Sequence, residues 1–247
     1  MLEALILDVD GTLAETEEVH RAAFNDVFRE MGLDWEWDQS LYGRLLDVTG
    51  GKERIAHYIA TASPAMVPKA SAGGEMADAI AAMHRRKTDI YNQMVASGGL
   101  ELRPGVEAVI RAARGAGVRL AIATTTSLPN VESLLRATLG PEGLDLFEVI
   151  AAGDMVRKKK PAPDVFLLAL ERLGLPAERC LALEDSINGL QSARGAGLAT
   201  VVTKSAYTAH QRFESALSVT GTLAELGEDG AAIIAALSRL HATAPVG

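Results

Sequence analysis

The chain has 247 residues, 48% hydrophobic and 23% charged, an ordinary globular composition that suits one large domain or two modest ones. Its 24 Lys and Arg against 32 Asp and Glu leave a formal charge of −8, which argues against a nucleic-acid partner because a phosphate backbone is repelled. A single cysteine, Cys180, excludes an internal disulfide, and no apolar run is long enough to suggest a membrane span.

The first predicted element is a strand. Leu5-Ile6-Leu7 is apolar without alternation, the pattern of a strand covered on both faces in a parallel sheet. If Asp8 and Asp10 extend it, period two puts both carboxylates on one side. Gly11 lets the backbone turn sharply or approach a ligand closely. Acids at the carboxyl end of a parallel strand stand where open α/β sheets place their sites. The pair predicts a corner for a divalent cation and a phosphoryl group. The plainer alternative is a turn whose aspartates cap the next helix. The apolar run is too short for a secretory signal, so a cytoplasmic protein is expected.

Residues 16–32 read as a helix. Val19, Ala23, Val27 and Met31 recur every four residues, and Phe24 and Phe28 widen the stripe. A short helix is predicted at 38–46, and a Gly-rich turn at 47–52 opens a third at 51–62. Residues 63–74, with Pro64, Pro68, Gly73 and Gly74, read as a loop. A long helix at 75–97 shows Met76, Ile80, Met83, Lys87, Ile90 or Tyr91, and Met94 on one face, a packing stripe rather than a cofactor box. Residues 16–98 should therefore form an all-helical unit.

From residue 100 the texture changes to helix 104–117, strand 118–124, helix 129–138, strand 147–151, helix 164–173, strand 180–183, helix 186–195 and strand 198–202. Alternation of this kind implies a parallel sheet, which the opening strand must join. The fold class expected is α/β, a Rossmann-like parallel sheet core with an inserted α-helical cap domain. The core takes 1–15 and 99–247, the cap 16–98, with hinges near 14–16 and 98–103. Cys180, in an apolar strand, reads as a small core residue, and residues 242–247 are expected to fray.

Chemistry-bearing residues follow four of these strands: Asp8 and Asp10, then Thr124 to Ser127, then Lys158 to Lys160, then Glu184 and Asp185. This set suits phosphoryl transfer, which needs positive charge and donors around a group spreading negative charge over its oxygens. Thr124, Thr125, Thr126 and nearby amides can donate, and Lys160 can neutralise. Asp8, the Asp10 carbonyl and the Glu184-Asp185 pair offer oxygens suited to Mg2+. Asp8 can attack phosphorus, and Asp10 can protonate the leaving oxygen and then deprotonate water. Each piece alone has a bland alternative: a helix cap at 124–127, a solvated charge run at 158–160, a capped helix start at 184–186.

Together Asp8-Val9-Asp10-Gly11-Thr12, Thr124, Lys160 and Glu184-Asp185 resemble the four signature motifs of the haloacid-dehalogenase-like phosphohydrolases. Lys160-Pro161-Ala162-Pro163-Asp164 and Leu183-Glu184-Asp185-Ser186 resemble the branch containing β-phosphoglucomutase and the CbbY-type phosphatases. That resemblance implies Mg2+ dependence, Asp8 as nucleophile, Asp10 as acid and base, and a helical cap. It also implies removal of the 1-phosphate of xylulose 1,5-bisphosphate, an inhibitor of the Calvin-cycle carboxylase, giving xylulose 5-phosphate.

A bisphosphate needs a second anion site. Gly50-Gly51-Lys52 at a helix start offers amides and an ammonium, with Arg54 near it. Arg85, in His84-Arg85-Arg86-Lys87, is another candidate. Glu17 and His20 stand where similar enzymes make cap-side substrate contacts, although a helical His is also a common structural residue. Tyr42 either bonds a sugar hydroxyl or packs. Two departures stand out: Gly50-Gly51-Lys52 replaces a cap-loop arginine, and Ala14-Glu15-Thr16 replaces an aspartate at 14–15. A sugar phosphomutase is the alternative on the same scaffold. A phospho-accepting signalling domain would need no cap, and a dehalogenase would need no metal. A monomer acting on a small sugar bisphosphate, with neither membrane nor nucleic acid as partner, is expected.

Overall fold

The opening apolar run forms strand β1 (Ala4–Leu7), buried at every residue. It ends at Leu7 rather than running through Asp10. The Asp8 amide still donates to the Leu183 carbonyl at 3.0 Å, and Asp10 then turns into an isolated bridge with Ala14. The structure, a computed structural model, describes residues 1–64 and 75–244. The chain divides into two compact units, residues 16–99 and residues 1–15 with 100–247.

The first unit holds α1 (Glu17–Glu30), α2 (Gln39–Leu45), α3 (Gly51–Ala62) and α4 (Met76–Ala96). Helix α1 buries His20, Ala23, Phe24, Val27 and Phe28, so its stripe takes in His20 and leaves Met31 exposed. The aromatic rings decide this, because they bury the most area. Phe24 and Phe28 pack on Trp37 with ring centroids 4.7 and 4.9 Å apart, and Tyr58 joins at 5.4 Å. Helix α4 buries Ala79, Ile80, Met83, Lys87, Ile90, Tyr91 and Val95, while Met76 is exposed and Met94 half-buried. Its buried face is therefore not a methionine stripe. Of the expected loop at 63–74, residues 65–74 lie outside the described residues.

The second unit continues with α5 (Val106–Ala113), β2 (Arg119–Ala123), α6 (Leu128–Leu139), β3 (Val149–Ala151) and α7 (Asp164–Leu173). Then come β4 (Cys180–Glu184), α8 (Ile187–Gly195), β5 (Ala199–Thr203), β6 (Ser218–Thr220) and α9 (Gly230–Ala242). The six strands pair in parallel, in the order β3-β2-β1-β4-β5-β6. The last two elements lie beyond those predicted. β6 is a three-residue edge strand with no hydrophobic pattern, whereas α9 buries Ile233, Ile234, Leu237 and His241 at helical spacing. Ala242 closes α9 rather than fraying, and residues 245–247 are outside the described residues.

Period two sorts β1 between two cores. Leu5 and Leu7 face Val109 and Ile110 of α5, Leu134 of α6 and Leu237 of α9. Ala4 and Ile6 face Val165, Phe166 and Ala169 of α7 and Ala193 of α8. The second face is shallow because Ala121, Ala123, Ala151 and Ala182 line it. Cys180 packs there, and burial pushes its thiol up to about 11, so it is a core residue and not a nucleophile. The order of strands reverses direction between β1 and β4, the topological switch point where such sheets bind ligands. No helix among the described residues is long and apolar enough to cross a membrane.

The alanine face sets how closely α7 and α8 approach. Ala121→Leu is expected to lower unfolding stability by about 1–3 kcal/mol, read from denaturant midpoints. An unchanged midpoint would mean that the alanines do not set that spacing.

Candidate active site

At the carboxyl edge of the sheet, β1, β2 and β4 are joined by one side chain. The Lys160 ammonium lies 2.6 Å from Asp8 Oδ1, 2.6 Å from Glu184 Oε1 and 2.9 Å from the Ala123 carbonyl. Phe166 of α7 lies beneath it, with the ring centroid 5.0 Å from Nζ. Lys160, Asp8, Glu184 and Asp185 are all buried. Lys158 is exposed and Lys159 donates to the Gly153 carbonyl, so the charge-run description applies only to Lys158.

Glu184 serves as the anchor of Lys160. Its other oxygen accepts from the Asp185 amide at 3.1 Å and the Ser186 hydroxyl at 3.5 Å. Gly189 on α8 must lack a side chain, since a Cβ there would fall on the Glu184 carboxylate. Ser186 is the helix cap, accepting from the Gly189 amide at 3.1 Å, which leaves Glu184 and Asp185 for other roles. Asp185 Oδ2 accepts from Ser205 Oγ at 2.7 Å and from Thr208 Oγ1 at 3.4 Å. Gly11 lies against Asp185 at a φ of +81°, where a side chain would be both strained and overlapping.

Asp8, Glu184 and Asp185 each offer a carboxylate oxygen within 4.8 Å of the others. Burial pushes the Asp8 carboxyl up to about 7 against the pull of Lys160, with Glu184 and Asp10 adding to the rise. Lys160 loses by burial but gains more from Asp8 and Glu184, so it stays charged. The cluster thus gathers more negative charge than Lys160 offsets. Its donors are all hard oxygens. Such a set fits a hard divalent cation such as Mg2+.

Thr124 is buried at the end of β2, and its hydroxyl accepts from the Thr126 amide at 3.2 Å. Thr126 Oγ1 accepts from Asn130 at 3.2 Å, and Thr125 is half-buried. The capping alternative fails here: Ser127 is the N-cap of α6 but makes no side-chain cap bond. Ser205 and Thr208 were not among the sequence candidates. Ser205 lies two residues past β5, and extending the strand-end logic to that strand would have reached it.

The candidates of the helical unit form their own network. Arg54, expected at a distal phosphate, is buried and donates to the Leu45 carbonyl at 3.1 Å and the Tyr42 hydroxyl at 3.2 Å. Tyr42, fully buried, donates to Glu17 at 2.7 Å. These three satisfy one another because a buried guanidinium needs acceptors. Lys52 and Arg85 are exposed. Gly50 precedes α3 at a φ of +92°, and half-buried Gly51 sits against the His84 ring. His20 is buried, stacked on Tyr91 at 4.1 Å, with Nδ1 2.6 Å from Lys87 Nζ. An ammonium only donates, so Nδ1 accepts.

A model of the family described as haloacid dehalogenase-like hydrolase matches residues 2–197. The chain belongs to that family. It is 49% identical to protein CbbY of Cereibacter sphaeroides over the full length of both chains, and 53% identical to that of Rhodobacter capsulatus over 87% of this chain and 91% of the relative. A solved structure of a mutant CbbY from Rhodobacter sphaeroides in complex with xylulose 1,5-bisphosphate is 50% identical. It superposes with a TM-score of 0.86 over 92% of this chain and 97% of that one. These hydrolases share with this chain the α/β sheet described above.

Two outcomes are expected. Gly189→Ala, by displacing Glu184 from Lys160, should cut turnover by tenfold or more, on the order of lost electrostatic stabilisation at an active site. Wild-type kinetics would refute the anchoring role. Burial, with the charges of Lys87, Lys52 and Arg54, lowers the His84 pKa from 6.5 to about 3. The unfolded chain binds that proton first, so the stabilisation is complete above about 6.5 and is lost as pH falls toward 3. His84→Gln should therefore flatten the fall in melting temperature across that window, and an identical slope would contradict it.

Proposed function

We propose that the chain is a Mg2+-dependent phosphatase of a small phosphosugar, acting through an aspartyl-phosphate on Asp8. The observation that carries this reading is the buried Lys160 ammonium shared by Asp8 and Glu184 at 2.6 Å each. It orients the Asp8 carboxylate by one oxygen and leaves the other to attack. Asp8 forms a bond to phosphorus as the ester oxygen leaves, and Asp10 gives that oxygen a proton. Asp10 then takes a proton from water, which attacks the same phosphorus, releases inorganic phosphate and restores the Asp8 carboxylate. Thr124 and neighbouring amides donate to phosphoryl oxygens. Asp8, the Asp10 carbonyl and Asp185 would hold Mg2+, which supplies charge stabilisation when bound.

The substrate favoured is xylulose 1,5-bisphosphate, cleaved at its 1-phosphate to xylulose 5-phosphate. Its support is the relative solved with that compound, 50% identical to this chain. The second phosphate calls for further cations, and exposed Lys52 is the first candidate.

A phosphate-release assay over sugar mono- and bisphosphates, with and without Mg2+, tests this directly. Phosphate release should equal substrate loss and vanish with chelator. An isomerised product without phosphate release would instead establish a mutase. Asp8→Asn should abolish turnover while leaving the folded circular dichroism spectrum intact. Lys52→Ala should raise KM for the bisphosphate about tenfold, as a lost charge pair does, and more than for a monophosphate. Equal changes would remove Lys52 from the site.

A further inference from the structure

Arg103 precedes Pro104 in the segment that leads into α5. Its amide donates to the Leu13 carbonyl at 2.8 Å, and Leu102 bridges Ala14, so the root of the side chain is fixed. The side chain is 7% exposed. Nη1 donates to the Gly11 carbonyl and, at 3.0 and 3.1 Å, to the Thr203 carbonyl and hydroxyl. Nη2 donates to the carbonyls of Lys204 at 2.5 Å and Gly221 at 2.7 Å. Nε faces Glu15 Oε1 at 3.2 Å, and Glu15 Oε2 accepts from the Ala206 amide at 3.3 Å.

The segments tied together carry the acids. Gly11 follows Asp10. Thr203 and Lys204 lead to Ser205, whose hydroxyl donates to Asp185 Oδ2 at 2.7 Å. Gly11 also lies in contact range of both Asp185 and Ser205. One planar fork thus clamps the loop of Asp10 to the loop that orients Asp185. Side chains that hold metal ligands in place tune affinity without touching the ion.

We propose that Arg103, acting through the Gly11 backbone and through Ser205, is a positioning residue that sets the spacing of Asp10 and Asp185 and so the affinity of the site for its divalent cation. The inference rests on the metal reading of these acids. Lysine at this position keeps the charge but has one nitrogen, which cannot span the three segments at 11–15, 203–204 and 221.

The test is Mg2+ titration calorimetry on metal-stripped wild type, Arg103→Lys and Ser205→Ala, each checked for folding by circular dichroism. Arg103→Lys is expected to weaken Mg2+ binding about tenfold or more, and Ser205→Ala to weaken it in the same direction. The KM for phosphosugar at saturating Mg2+ should change much less, because excess metal offsets the lost affinity by mass action. Should Arg103→Lys fail to fold, Ser205→Ala, which removes one hydroxyl, decides. Wild-type Mg2+ affinity in the folded variants overturns the positioning role while leaving the phosphatase reading intact. Failure of the wild type itself to bind Mg2+ overturns both.

Discussion

The Lys160 ammonium is the contact on which the site depends. It bonds acids at the ends of β1 and β4 and a carbonyl at the end of β2, so three central strands meet at one charge. Removing one partner of a buried ion pair leaves the other charge uncompensated, at a cost of about 3–5 kcal/mol. The surroundings keep the geometry from relaxing. Phe166 supports the ammonium from below, and Gly189 makes room for the Glu184 carboxylate. A lysine so held remains charged, and the Asp8 carboxylate beside it is fixed in direction.

The strand order of the sheet makes this arrangement possible. The switch point between β1 and β4 places Asp8 next to Glu184 and Asp185 with no intervening strand. The shallow alanine face lets α7 bring Phe166 beneath Lys160. The second layer then works on the acids rather than on substrate: Ser205 and Thr208 orient Asp185, and Arg103 ties their loop to the one after Asp10. A fold of this type hosts many activities, so the reaction depends on these side chains and not on the sheet.

The central acids, Thr124 and Lys160 were legible in the sequence because each follows an apolar strand, and strand ends of a parallel sheet converge. Ser205 obeys the same logic at β5. Arg103 did not, because its partners are backbone carbonyls from distant segments, and carbonyls leave no mark in a sequence. The helices of the first unit are legible in the apolar spacing of the sequence. Spacing reveals which residues share a helix, and it does not reveal that Arg54, Tyr42 and Glu17 turn toward one another. His20 likewise belongs to a buried pair with Lys87, two residues far apart in the chain that no local pattern joins. β6 was invisible for a different reason, being three residues at the sheet edge with little apolar content.

The central claim is that the carboxylate held by Lys160 takes the phosphoryl group. The most direct measurement is rapid quench of the turning-over enzyme, borohydride reduction of any acyl phosphate, and mass spectrometry of the N-terminal peptide. Homoserine at position 8 is the expected result. An enzyme that turns over with position 8 unmodified, or with the reduced residue elsewhere, would contradict the account.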